Sequence, residues 1–323
     1  MKAIVIDRYG TPDVLRLEEV ATPVPGDGEV LVRVRASSVN PYDWHFLTGR
    51  PKLFRPAFGL LKPKYRILGA DLAGQVEAVG PGVTHFVSGD EVYGQAAAGT
   101  YAEYATMAET ELAPKPSNLT FEQAAAVPLA GFTALQAIRD QGKVQPGQKV
   151  LINGASGGVG TLAVQIAKSY GAEVTGVCST TNVDMVRSIG ADRVIDYTRD
   201  DFTSDSRRYD LLLDNVGNRS LAEYRRVLEP KGLYLASYGR PENTWLGPVW
   251  LLARMALLSP FVGQKLTTFT AQPRAEDLHT LKGLIEAGSL RPVIDRTYPL
   301  PKVPDAFRYI EQWHARGKVV ITM

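Results

Sequence analysis

The stretch KVLINGASGGVGTLAVQIAKSYG (residues 149–171) decides the reading of this chain. An apolar strand, Val150 to Ile152, runs into a glycine-rich turn. The turn opens onto a helix with apolar positions at Val159, Leu162, Ala163 and Ile166. This strand–turn–helix context is what a dinucleotide-binding fingerprint requires. Gly157 lets the backbone approach a pyrophosphate, and Gly160 lets the helix pack close to the strand. The N–H groups and positive dipole end of the helix then face the phosphates. The pattern is A-x-G-x-x-G, with Ala155 at the first glycine position, and Ser156, Gly158 and Val159 fill the turn between. A tight turn that binds nothing accounts for one glycine. It does not account for Gly154, Gly157, Gly158 and Gly160 together.

Downstream, strand and helix alternate. Strands are expected at 149–153, 173–178, 193–197, 209–216 and 232–238, with helices at 158–170, 182–190 and 219–228. That alternation reads as a doubly wound parallel sheet. Upstream, the chain is rich in short strands punctuated by Gly and Pro. EVLVRVRASSVN (29–40) alternates Val30, Val32 and Val34 with Arg33 and Arg35, as a half-buried strand does. DLAGQVEAVG (71–80), GDEVYG (89–94) and TYAEYATMA (100–108) continue the pattern toward a small barrel or sandwich. The character changes near Asn118, and 120–140 reads as helical, with Thr120 and Glu122 at its start. A helix near 275–288 and the closing strand KVVITM (318–323) complete the chain.

Composition excludes several classes. The 323 residues carry a net charge of +2, which gives no reason to expect nucleic acid as a partner. Cys178 is the only cysteine, so there is no intrachain disulfide and no cysteine-rich zinc site. The start, MKAIVIDRYG, lacks secretory features, and the cytoplasm is the expected location. WLGPVWLLARMALLSPFVG (245–263) is interrupted by Pro248, Arg254 and Pro260, too short and broken for stable membrane insertion. It reads as a helix over a pocket or subunit face, with shallow membrane contact as the alternative.

Six runs belong together: VRVRASSVNPYDW (32–44), ILGADLAGQVEAVG (67–80), VSGDEVYG (87–94), AAAVPLAGFTAL (124–135), the glycine turn and GKVVI (317–321). Their order resembles the medium-chain dehydrogenase/reductase superfamily over essentially the whole chain. The resemblance implies an α/β fold in which a doubly wound Rossmann domain is inserted in a GroES-like, β-barrel-type catalytic domain. The catalytic domain would be 1–117 with 268–323, and the dinucleotide-binding domain 118–267. The family's zinc alcohol dehydrogenases place a cysteine at Asn40 and His-Glu at Ala70 and Asp71. Alanine ligates no metal and Asn is a poor zinc ligand. The four histidines, at 45, 85, 279 and 314, show no ligand spacing. No zinc is therefore expected. V-N-P-x-D (39–43) with the glycine turn resembles the zinc-free quinone oxidoreductase branch, which implies reduction of quinones or activated alkenes with NADPH.

The second strand ends in STTN (179–182), without the carboxylate that holds NAD ribose. Ser179, Thr180 and Asn182 can donate to a 2′-phosphate, or cap the next helix. Related reductases carry a tyrosine where Tyr197 stands. NADPH is preferred over NADH. Thr133, Asn215, Val216, Ser237, Tyr238 and Gly239 are the further cofactor candidates, the last five because strand C-termini hold ligands in such sheets. Lys318 can reach the cofactor phosphates or lie at the surface.

Without metal, the chemistry is direct hydride delivery to an electron-poor carbon or a quinone. Asn40 can bond cofactor or substrate, and Asp43 is either catalytic or a backbone brace. Tyr42, Tyr93, Tyr238 and His45 are proton-donor candidates. Tyr42, Trp44, Phe46, Tyr93, Tyr238 and Trp250 can wall an aromatic slot or belong to the core. Two other functions remain open: a zinc-free alcohol or aldehyde dehydrogenase, and a nucleotide-binding adaptor with little turnover. A homodimer is expected, with 265–272 able to pair across its edge.

Overall fold

The computed structural model describes residues 1–237 and 249–323. They form two compact units. One comprises Met1–Phe132, Pro273–Gly288 and Pro292–Met323, the other Thr133–Gln272 and Ser289–Arg291. Both divisions come later in the chain than the 117/118 and 267/268 expected. The helix Phe121–Ala125 packs on the strands Glu29–Val39 and Asp71–Val79, which keeps it in the first unit. At the other end, Gln272 exchanges hydrogen bonds of 2.7 and 3.0 Å with Gln136, which holds it in the second.

The second unit is a six-stranded sheet. Its spatial order is Arg193–Asp196, Glu173–Cys178, Lys149–Asn153, Tyr209–Asp214, Leu228–Ala236, Lys265–Thr268. Every pairing is parallel. This is the dinucleotide-binding order, with the chain reversing direction across the sheet between Lys149–Asn153 and Tyr209–Asp214. Val150, Leu151 and Ile152 are fully buried, as a central parallel strand covered on both faces must be. The helix after the glycine turn spans Gly158–Ser169. The expected helix at 219–228 is shorter, Leu221–Arg226, and is opened by a reciprocal Ser220–Glu223 capping box.

The first unit is built on a seven-stranded mixed sheet. Its main path runs Ile294–Pro299, Lys318–Thr322, Glu29–Val39, Asp71–Val79, Glu91–Gln95, Leu112–Pro114, and Tyr104–Ala108 pairs with Glu29–Val39. Val30, Val32 and Val34 are buried as their alternation requires. Beyond the register shift near Val34 and Ala36, the strand is buried on both sides. The 120–140 helix is broken, with Phe121–Ala125 followed by Pro128–Leu135. Pro128 lacks an N–H and pushes Val127 out of helical conformation.

Registers place three strand ends side by side. Val39 pairs with Val319, so Lys318 is brought beside Asn40. Ser38 pairs with Asp71 on the other flank.

Candidate functional site

In the second unit, Gly157 caps the helix Gly158–Ser169 and has no side chain to occupy the N–H groups of its first turn. A Cβ on Gly157 would meet only the Gly154 carbonyl, at 3.5 Å, so the space above the turn is open. Gly160 is the opposite case. Its Cβ would come within 2.1 Å of the Gly154 oxygen and 2.8 Å of Ala155 Cα. The helix can therefore seat on the turn only with glycine there. Ala155 is buried against the second strand: its N–H donates to Val177 O, and its Cβ faces Gly176.

The end of the second strand gathers the expected polar groups. Asn182 Nδ2 donates to Ser179 Oγ at 3.1 Å and to Ser156 Oγ at 3.3 Å, which ties the turn to this strand end. Tyr197 is partly exposed beside them, its N–H on Cys178 O. One group here was missed. Asp196 pairs in register with Cys178, and it accepts from Thr180 Oγ1 at 2.5 Å. The carboxylate absent from STTN arrives from the neighbouring strand. The Thr180 and Thr198 hydroxyls hold it below the usual carboxylate range, with Arg199 3.6 Å away. Cys178 itself is buried, and burial pushes its thiol up to about 11, so it stays protonated and inert at neutral pH.

The fourth and fifth strand ends are locked by Asp214. Its carboxylate accepts from Asn153 Nδ2 at 2.8 Å, from the N–H groups of Val216 and Gly217, and from the Tyr234 hydroxyl. Its carbonyl accepts from the Ser237 N–H. Asn215 donates to Asn153 O, but its Oδ1 is buried with no hydrogen-bond partner among the described residues. A buried acceptor left open at a strand C-terminus fits a donor on a bound molecule. Thr133, half-buried on the helix Pro128–Leu135, is the first residue of this unit. Tyr238 and Gly239 lie outside the described residues.

In the first unit, Asn40, Asp43 and Lys318 do come together, and Asp71 is their hub. Asp71 Oδ2 accepts from Ser38 Oγ at 2.5 Å, Asn40 Nδ2 at 3.0 Å and Lys318 Nζ at 3.3 Å. Its Oδ1 accepts from the Leu129 N–H at 2.8 Å, at the start of the helix Pro128–Leu135. Lys318 Nζ also donates to Asn40 Oδ1. Lys318 is 5% exposed, and its ammonium is engaged inside the cluster rather than lying at the surface. Asn40 is 2% exposed, and its amide is committed to Asp71, Asp43 and Lys318.

Asp43 braces the turn, accepting the Asn40 N–H at 2.9 Å. Burial, reinforced by the Asp71 carboxylate, pushes it up to about 7. The Asn40 N–H, the Tyr101 hydroxyl and Lys318 oppose that rise. The folded protein thus binds a proton here that the unfolded chain releases near 3.8. The contribution favours folding below the unfolded value and is withdrawn as pH climbs toward about 7. Asp43→Asn keeps the acceptor and removes the titration. Relative to wild type, the variant should gain stability between about pH 4 and about pH 7 in urea unfolding. Parallel pH profiles would refute this.

Tyr42 donates to Ala97 O at 3.0 Å, and burial raises its hydroxyl, so it retains its proton. Trp44 and Phe46 belong to the core of the first unit, with Trp44 Nε1 on Glu311. Tyr93 is buried with its hydroxyl on Leu278 O. Trp250 is solvent-exposed. Among the described residues, no group of three or more His, Cys, Asp or Glu is placed to hold a metal ion.

Known proteins resemble this chain over its length. Residues 26–117 match the family model described as the alcohol dehydrogenase GroES-like domain, and residues 189–321 the one described as zinc-binding dehydrogenase. A mouse protein named NAD(P)H oxidoreductase RTN4IP1, mitochondrial, is 35% identical over 356 residues, spanning 100% of this chain and 89% of its own length. The Arabidopsis thaliana NADPH-dependent alkenal/one oxidoreductase, chloroplastic, is 35% identical over 339 residues, covering 99% of this chain and 79% of that protein. Among solved structures, the quinone oxidoreductase of Coxiella burnetii superposes with a TM-score of 0.86 at 32% identity. The match covers 100% of this chain and 99% of that one.

Proposed function

Because this oxidoreductase belongs to the zinc-free quinone oxidoreductase branch of the medium-chain dehydrogenase/reductase superfamily, we propose that it reduces quinones or α,β-unsaturated carbonyls with NADPH. The observation that carries the reading is the glycine cradle. Gly157 leaves open space under uncapped helix N–H groups, and Gly160 admits no side chain. The N–H groups of Gly158 to Gly160 would hold the pyrophosphate. Ser179, Thr180, Asn182 and Tyr197 would surround the 2′-phosphate. Asn215, with its open Oδ1, and Val216, Ser237 and Thr133 would take the nicotinamide end. When bound, the dihydronicotinamide supplies a hydride.

NADPH has support on both sides of the comparison. The Arabidopsis relative is named for it, and the strand-end hydroxyls suit a phosphate. Asp196 weighs the other way, with its charge offset by Arg199 at 3.6 Å. Zinc does not fit the first unit. The Lys318 ammonium occupies the point where Asn40 and Asp71 converge, and a dication would have to displace it. The acceptor must then delocalise the developing negative charge itself, as a quinone or a conjugated carbonyl does and a simple aldehyde does not.

Loss of the reduced-nicotinamide absorbance tests this directly. Turnover is expected with 1,4-benzoquinone or a simple enone and not with saturated aldehydes. Turnover on aldehydes alone would favour an alcohol or aldehyde dehydrogenase. Tight NADPH binding without turnover on any acceptor would favour an adaptor. Tighter binding of NADH than NADPH would reverse the cofactor preference.

A further inference from the structure

The end of the strand Glu173–Cys178 is where dinucleotide folds hold the ribose 2′-position. A 2′-hydroxyl asks that point for an acceptor. A 2′-phosphate asks it for donors and positive charge. The protons on offer there therefore decide which coenzyme is held.

Asn182 gives its Nδ2 protons to Ser179 and Ser156. Ser179 accepts one of them at 3.1 Å, and its own hydroxyl has only Thr181 Oγ1 beside it, at 3.4 Å. Thr180 is different. Its side chain is exposed, yet its single hydroxyl proton goes to Asp196 Oδ2 at 2.5 Å. Thr198 gives its hydroxyl proton to Asp196 Oδ1 at 2.7 Å and its N–H to the same oxygen at 3.0 Å. The two threonine oxygens lie 2.9 Å apart. With both protons turned to Asp196, Thr180 offers outward a lone pair and no donor. An ionised carboxylate only accepts, and the Thr180 hydroxyl foremost holds Asp196 in that form.

The cations at this strand end are drawn to carboxylates. Arg199 Nε lies 3.6 Å from Asp196, and Arg187 Nη1 lies 3.6 Å from Asp184. The Asp196 side chain is 11% exposed and that of Arg199 73%. The carboxylate is thus the fixed member of its pair, and a solvated guanidinium offsets its charge only in part. Ser179 and Tyr197 are the hydroxyls left to donate.

Resting on the reading that this unit binds a dinucleotide, we propose that Asp196 determines its coenzyme selectivity. By taking the Thr180 proton it leaves an acceptor for the ribose 2′-hydroxyl of NADH. Ser179 and Tyr197 still serve the 2′-phosphate of NADPH. Both coenzymes then bind, with NADPH ahead by a modest margin. Asparagine at 196 reverses the polarity of the contact. Its Nδ2 donates to Thr180 Oγ1, which frees the threonine proton for a phosphate, and the negative charge is removed in the same step.

Fluorescence titration of the intact protein with NADPH and with NADH tests this. Wild type should bind the two within about thirtyfold of each other, and Asp196→Asn should widen the preference for NADPH by about tenfold or more. Thr180→Val in wild type should weaken NADH about threefold or more and leave NADPH within about twofold. The same change made on Asp196→Asn should erase most of the NADPH gain. Thermal unfolding checks that each variant is folded. A residue that merely braces the strand end would move both coenzymes together. A change in the ratio below about threefold in folded Asp196→Asn, or a wild-type preference for NADPH above about thirtyfold, would overturn the proposal and leave the dinucleotide reading standing. Equal loss of both coenzymes in Thr180→Val would overturn it as well. Failure of wild type to bind either coenzyme would overturn the dinucleotide reading and the proposal with it.

Discussion

Lys318→Met is expected to lower the free energy of unfolding by about 3–5 kcal/mol. The ammonium is buried between Asn40 and Asp71, with Asp43 sharing the same Asn40 amide. Two carboxylates and one cation already leave an excess negative charge when all are ionised. Methionine preserves the length of the side chain and removes the cation. Asp71 would keep Ser38, Asn40 and the Leu129 N–H, but no opposing charge. The loss should be larger above about pH 7, where Asp43 sheds its proton. Lys318→Met with Asp71→Asn should recover part of the loss, because removing both charges costs less than stranding one. Urea unfolding of the four proteins of this cycle measures each quantity. A loss below about 1 kcal/mol for the single variant would mean that the cation is dispensable.

Gly160→Val is expected to weaken dinucleotide binding by about a hundredfold or more. Its side chain would collide with the backbone of Gly154 and Ala155, which cannot rotate away. The first helical turn would be lifted from the strand, and its N–H groups with it. Gly157→Ala separates geometry from occupancy. Its Cβ makes only an ordinary contact at 3.5 Å, so folding should be unaffected, yet the methyl group fills space beside the expected pyrophosphate. NADPH titration by fluorescence, with thermal unfolding as control, distinguishes the two. Unaltered binding in Gly160→Val would sink the cradle reading.

Local features were legible in the sequence. The strands Lys149–Asn153 and Glu173–Cys178 fall where the apolar runs put them. The glycine turn could be read residue by residue, because its constraints act between near neighbours. The charged cluster could not. Asp71, Asn40 and Lys318 meet through the registers of three strands, and no spacing in the sequence encodes a register. One signal was available. Asp71 and Lys318 are charges that open buried runs, DLAG and KVVI, at the starts of their strands, and such charges need each other. Asp196 was missed for a related reason: a search confined to the end of one strand overlooks what the neighbouring strand delivers.

The Lys318–Asp71 pair also sets an order of events during synthesis. The ammonium is translated 247 residues after the carboxylate it neutralises. By then the ribosome has released residues 133–272, nearly all of the second unit. The inserted unit can therefore finish folding while its host still waits for a counter-charge. A nascent chain whose emerged portion ends between residues 291 and 318 would carry a completed nucleotide fold and a host whose central strand, Glu29–Val39, still lacks its C-terminal neighbour.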